Sequence, residues 1–409
     1  MLNAIWAGMI LVACAFALAK AVMTGQGTVF IALMQALFDS AKTGFEISLG
    51  LAGVMTLWLG LMRVAEAGGS LALITRALAP LLQRLMPEVP ARHPAQGAVV
   101  MNLSANVLGL DNAATPLGLA AMRELQTLNP KPDTASNAMI LFLVLNASSV
   151  TLLPLTIFAY RAQLGAHDPT DVFVPILIAT YCSTLVGLIA VAVAQRINLL
   201  HRVVLGYLGL ATLLVGSMAW YFGHLPAAEM QRQSAIFSNG LLFGLIVLFL
   251  TMALLRRVKV YEVFIDGAKE GFQIAVGIIP YLVAMLLAIG LLRASGALEA
   301  ALDGIRYLVH LAHGDERFVD ALPTALVKPF SGSGARAMMV ETMRHYGADS
   351  FAGRLSAVIQ GSTETTFYVL AVYFGSVGIK HSRHAISCAL LADLAGVIAA
   401  IFVCYAFFG

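Results

Sequence analysis

Charged side chains are scarce: Asp, Glu, Lys and Arg together make up 11% of the 409 residues, against roughly 25% in an ordinary soluble domain. A soluble fold of this length needs a charged exterior, so the scarcity excludes one and makes lipid the solvent for much of the surface. The net charge is only +3, and the basic residues sit between apolar runs, not along one stripe, which speaks against nucleic acid as a partner. Cysteine is rare. Cys14, Cys182, Cys388 and Cys404 all lie inside apolar runs and none forms a CxxC pair, so neither a disulfide framework nor a zinc site is signalled. No GxxxxGK[ST] loop occurs, which argues against a built-in ATPase motor. The start is apolar from Ala4 to Ala19 without the basic residues and small-residue cleavage site of a signal peptide, and it reads as a retained membrane helix.

What the chain has instead is long apolar sequence. A helix needs about 20 apolar residues to span the hydrocarbon, and helices are required because lipid offers no partner for open backbone groups. Runs of this kind fall near 2–22, 46–64, 137–160, 172–195, 203–223, 236–255, 273–292, 355–379 and 384–408, about nine spans in an all-α integral membrane protein. Residues 70–86 repeat apolar positions at helical spacing, with Arg76 and Arg84 on the polar side, and read as an interfacial helix; 28–44 and 297–312 look similar. Two stretches, 96–124 and 322–346, are apolar at both ends and polar in the middle. Their arms are too short to cross separately. The first centre, Asn106 to Thr115, holds Gly109, Asp111 and Asn112; the second tip runs from Pro329 to Gly334. These are turn and helix-start residues, so both stretches read as re-entrant helical hairpins.

The chain also repeats itself. Phe38–Phe45 recurs as Ile265–Phe272, Gly60–Arg63 as Gly290–Arg293, Met122-Arg123 as Met343-Arg344, Asn146–Thr151 as Gln360–Thr365, and Gly187–Ala190 as Gly396–Ala399. Five matches in one order imply two copies of one unit. The organisation expected is an N-terminal helix over 1–27, a first repeat over 28–197, a two-helix linker over 198–254 and a second repeat over 255–409. About five crossings separate equivalent spans, and an odd number inverts the second copy. Inverted repeats with broken helices meeting at midmembrane are a common plan of secondary transporters. Arg196, Arg202, Arg256, Arg257, Lys259, Lys380 and Arg383 fall on one side of this arrangement, which puts the N-terminus in the cytoplasm of a bacterial inner membrane.

Two polar stretches interrupt apolar spans. One holds Asn146, Ser148, Ser149 and Thr151; the other holds Gln360, Ser362, Thr363, Glu364 and Thr365. A single Ser or Thr in a membrane helix bonds back to its own backbone and means little. Consecutive polar residues must face protein or water, either as a polar helix contact or as an unwound segment lining a solute site; the repeat favours the second. Glu364 is open to four readings: a structural ion pair with Arg336 or Lys328, a proton carrier, a cation ligand, or a ligand for a substrate amine. Asp393 shares the ambiguity. Asp111 and Asn112 either cap the second arm of the first hairpin or help present its N-terminal N–H groups to an anionic solute. The pairs His310/His313 and His381/His384 lie near loops without a nearby carboxylate on the same face and are set aside, as is Ser333 as a protease nucleophile, because no deep His serves as its base.

At these motifs the chain becomes recognisable. GLDNAATPLGLAAMRELQ (109–126) with NAMILFLVLNASSVTLLP (137–154) resembles the spore maturation A family. KPFSGSGARAMMVE (328–341) with the stretch around QGSTETTFYVLAVYFGSVGI resembles the spore maturation B family, so the chain looks like a fusion of the two. Both families are grouped with the nucleoside-recognition, or gate, domain of concentrative nucleoside transporters. The resemblance implies a solute site between two hairpin tips and two broken helices. By position it covers Asn102, Ser104, Asn106, Asp111, Asn112 and Thr115; Asn146, Ser148, Ser149 and Thr151; Ser331, Ser333 and Arg336; and Gln360, Ser362, Thr363, Glu364 and Thr365. The expected function is secondary transport of a small polar solute, with no enzymatic activity and no cofactor; a coupling ion, Na+ or H+, and a homo-oligomer are both compatible with it. The alternative is a non-transporting membrane protein of envelope or spore maturation.

Overall fold

The computed structural model describes residues 2–24, 27–90, 93–109, 111–148 and 152–409; the side chains of residues 2–5, 24, 111–113, 227, 228 and 231 lie outside that description. Among the described residues there is no strand, only one isolated bridge between Thr134 and His381. The helices are α1 (Leu2–Thr24), α2 (Thr28–Ala67), α3 (Ser70–Leu85), α4 (Pro94–Val107), α5 (Asp111–Thr127), α6 (Asn137–Ala147), α7 (Leu155–Gln163), α8 (Phe173–Gln195), α9 (Arg202–Gly223), α10 (Ala227–Leu255), α11 (Val260–Ser295), α12 (Ala297–Leu311), α13 (Leu322–Val327), α14 (Gly332–Tyr346), α15 (Phe351–Ser362), α16 (Thr366–Ser376) and α17 (Ala385–Phe408). Among the described residues, seven of them (α1, α2, α8, α9, α10, α11 and α17) are long and apolar enough to cross a membrane. Leu210, Leu213, Phe243 and Leu254 project outward from α9 and α10, and an apolar exterior of this kind is not tolerated in water. The molecule is a multi-pass membrane protein.

One expectation changes. The interfacial helix expected over 28–44 is not separate but continues into the following span, giving a 40-residue helix. No proline interrupts it, and the single glycine at the junction, Gly44, costs a helix only about 1 kcal/mol. That glycine is needed for packing: a Cβ there would stand 3.0 Å from Val283 Cα of α11.

The hairpin arms stay short for a physical reason. α4 has 14 residues and α5 has 17, about 21 and 26 Å at 1.5 Å per residue, against about 30 Å of hydrocarbon. Gly109 turns the first hairpin at φ 70°. In the second, Ser331 caps α14 by accepting from Gly334 N–H at 3.0 Å. The two polar stretches are where helices stop. α6 ends at Ala147 and α15 at Ser362, after which Thr363 and Thr365 are extended. The open backbone groups find partners across the breaks: Glu364 N–H donates to Ala147 C=O at 2.8 Å, Leu152 N–H to Val107 C=O, and Phe367 N–H to Pro329 C=O.

Helices of like position pack on each other. In α2 and α11, Gly267 lies against Gly60 while Gly290 lies against Ser40, so the two run antiparallel. In α8 and α17, Gly396 lies against Ser183 and Gly187 against Ala392, and Ser183 Oγ donates to Ala392 C=O at 2.9 Å. α8 and α17, with α4, α5 and α16, pack around α6, which is buried from Ala138 to Ala147, as a helix apolar on every side must be. The two rims are tied separately. At one, Lys380 and His381 N–H groups donate to Asp133 C=O. At the other, Arg161, fully buried, bonds to Asp171 (2.8 Å), Asp349 (3.0 Å) and Ala348 C=O (2.7 Å).

Candidate solute site

The half-helices converge on one hollow. Each hairpin supplies a second arm, and each broken span a second half, whose N-terminal turn faces it: Ala114 and Thr115 of α5, Leu155 and Thr156 of α7, Gly332 and Ser333 of α14, Phe367 and Tyr368 of α16. The cavity, open on one side, is about 840 Å³. Free N–H groups and the aligned peptide dipoles make a helix N-terminus favourable for an anion; at α16 and α7 some of these N–H groups are already taken, Phe367 N–H by Pro329 C=O and Leu155 N–H by Leu153 C=O. Among the described residues, the charged side chains on the wall are Lys328, Arg336 and Glu364. Lys328 is 3% exposed and its Nζ donates to Gln360 C=O at 2.9 Å, a cation at the C-terminal end of α15. The Tyr160 hydroxyl lies against Arg336. Phe330 and Phe367 stack at 5.1 Å between centroids and join the second hairpin tip to α16. A second hollow of about 770 Å³, at Trp220 and Arg232, lies between α9 and α10, away from both breaks.

A family model for a domain described as Gate, nucleoside recognition, matches residues 48–164 and 275–380. The chain belongs to the Gate family. It is 39% identical over 183 residues to spore maturation protein A of Bacillus subtilis (strain 168), a match covering 45% of this chain and 90% of that protein. It is also 48% identical over 155 residues to spore maturation protein B of the same organism, covering 38% of this chain and 85% of that protein. Each relative is matched over most of its length by less than half of this Gate protein.

Among the described residues, eight of the expected site wall the cavity of this Gate protein. Asn106 and Thr115 come from the first hairpin, and Ser331, Ser333 and Arg336 from the second. Gln360, Glu364 and Thr365 come from the second break. Others sit behind the wall. Asn102, fully buried, donates to Ala114 C=O at 2.7 Å, and Asn146 accepts from Asn106 at 2.8 Å and from Tyr373 at 3.4 Å. Ser104, Ser148 and Ser362 bond back to carbonyls of their own helices, and Thr363 packs against Gly396. Asp111 and Asn112 begin α5, but their side chains, like Ser149 and Thr151 altogether, lie outside the described residues. Glu364 and Arg336 face the same cavity, and among the described residues no ion pair within 4 Å joins them. Tyr160, Tyr281, Phe330, Phe367 and Tyr373 also line it and were missed. An aromatic in an apolar run carries the same signal whether it faces a core or a cavity. In the sequence Lys328 stands out only as a counter-charge for Glu364.

Proposed function

We propose that this Gate protein is a secondary transporter of a small polar solute, bound in the cavity where the two broken helices meet. One observation carries this: a cavity of about 840 Å³ with charged side chains and four helix N-termini on its wall lies next to the Glu364–Ala147 junction. A purely structural core leaves no such volume beside ionisable groups. The proposal takes residues 28–197 and 255–409 as inverted repeats. The antiparallel pairing of α2 with α11, and the reciprocal contacts Gly267–Gly60 and Gly290–Ser40, support it. An odd number of crossings between equivalent helices relates the repeats by an axis in the membrane plane. The orientation proposed is N-terminus cytoplasmic, in a bacterial inner membrane. The relatives' names favour a second reading, a maturation protein that transports nothing.

The two readings separate in proteoliposomes preloaded with a defined mixture of nucleosides, amino acids and carboxylates. Selective loss of one solute class relative to protein-free vesicles is the expected result. Retention of every solute by vesicles holding folded protein rejects transport in favour of the maturation reading.

A further inference from the structure

We propose, resting on the transport reading above, that the solute is a small zwitterion with a carboxylate at one end and an ammonium at the other. The carboxylate end belongs at the first turn of α14. Ser331 Oγ satisfies the N–H of Gly334, which leaves the N–H groups of Gly332 and Ser333 without a partner within the helix. Because Gly332 carries no side chain, Thr365 and Arg336 approach its backbone closely: a Cβ at this position would stand 2.8 Å from Thr365 Oγ1 and 4.0 Å from Arg336 Nη2. Two backbone N–H groups, a hydroxyl and a guanidinium therefore surround one small space. An oxyanion matches that donor set, and the guanidinium fork matches both oxygens of a carboxylate.

The cavity wall also carries acceptors. Gln360 is 8% exposed, lines the cavity, and its Oε1 has no partner among the described residues. A buried acceptor without a donor is costly, and a turn of the Gln360 amide would offer it to an N–H of a solute in the cavity. Glu364, four residues on, faces the same cavity. The charges settle which solute completes the site. Lys328 is engaged by Gln360 C=O and lies near Asp393. Arg336 and Glu364 remain on the wall without an ion pair to each other among the described residues. A neutral solute matches neither charge, and a simple anion matches only Arg336. A zwitterion matches both.

The test uses the full chain in lipid nanodiscs and calorimetric titration with the twenty protein amino acids, their decarboxylated amines, their deaminated carboxylates, and uncharged nucleosides. At least one amino acid should bind, with its amine and carboxylate analogues at least ten-fold weaker. Arg336→Gln and Glu364→Gln should each weaken it at least ten-fold. If Arg336→Gln fails to fold, Gly332→Ala, which crowds Thr365 Oγ1 at this turn without changing charge, carries the test and should show the same loss. Binding of a nucleoside that Arg336→Gln changes less than two-fold overturns the zwitterion while leaving transport intact. Absence of binding across the amino acids also overturns it, and the vesicle assay then decides transport separately.

Discussion

The backbone N–H of Glu364 donates to the carbonyl of Ala147 across 2.8 Å, joining two helix breaks more than 200 residues apart in sequence. Ala147 closes α6, and Glu364 follows the end of α15, so the last turn of one broken helix is finished by the other. Neither break is stable alone, because each leaves open backbone groups that lipid cannot satisfy. The site and the pairing of the two halves are therefore one structure.

The hairpins should enter from opposite faces. Lys131 lies at the base of the first and Glu316 near the base of the second. Single cysteines at these positions, in a cysteine-free background, should react with a membrane-impermeant maleimide from opposite sides in oriented vesicles. Labelling of both from one side contradicts the inverted arrangement.

Arg161 should be irreplaceable. It is fully buried, donates to two carboxylates and to the Ala348 carbonyl, and ties the end of α7 to the loop before α15. Arg161→Leu removes one of the two arginines that Asp171 and Asp349 share, leaving Arg354 with both, at a cost of about 3 kcal/mol. Arg161→Lys should recover little, because one ammonium cannot span the acceptors that the planar guanidinium reaches. Melting temperatures in detergent, or the urea midpoint, measure both; a stable leucine variant refutes the role.

Two glycines of α11 should respond oppositely to alanine. A Cβ at Gly267 would meet the Leu59 carbonyl oxygen at 2.6 Å, whereas Gly277 has nothing within 4 Å. Gly267→Ala should destabilise by about 1–3 kcal/mol through overpacking against α2. Gly277→Ala should be neutral or stabilising by up to about 1 kcal/mol, because alanine favours the helix. Equal effects in thermal unfolding would show that the close approach is not tight.

Thr366 should matter through Asp393. Its Oγ1 donates to Asp393 Oδ2 at 2.7 Å, and both residues are buried. Thr366→Val keeps the shape and removes the donor, leaving the carboxylate short of a partner at a cost of about 1–3 kcal/mol. Thr366→Ser should retain most of the stability. Thermal shift of the two variants side by side decides the matter, and equal losses would assign the effect to packing of the methyl group.

Much of this architecture is legible in the sequence because its causes are local. Low charge and long apolar runs require lipid, and the Gly-Asp-Asn and Ser-Gly-Ser-Gly stretches require turns. Polar residues inside the spans require a break near Asn146 and near Gln360, and the helices do end at Ala147 and Ser362. The joining of 28–44 to the next span was not legible, because a lone glycine is a weak stop and its packing against Val283 comes from a helix more than 200 residues away. The same limit applies at the site. Sequence marks Gln360, Glu364 and Arg336 as costly in a membrane, but not which of the marked residues face the cavity. Asn102, Asn146 and Ser362 carry the same polar signal as Asn106 and Glu364, yet they are turned inward and satisfied by neighbours. Tyr160 and Tyr281 carry no signal and line the cavity. Periodicity and composition fix which segments are helical and where they break; which side chain faces an open volume is fixed only when antiparallel helices distant in sequence close around it.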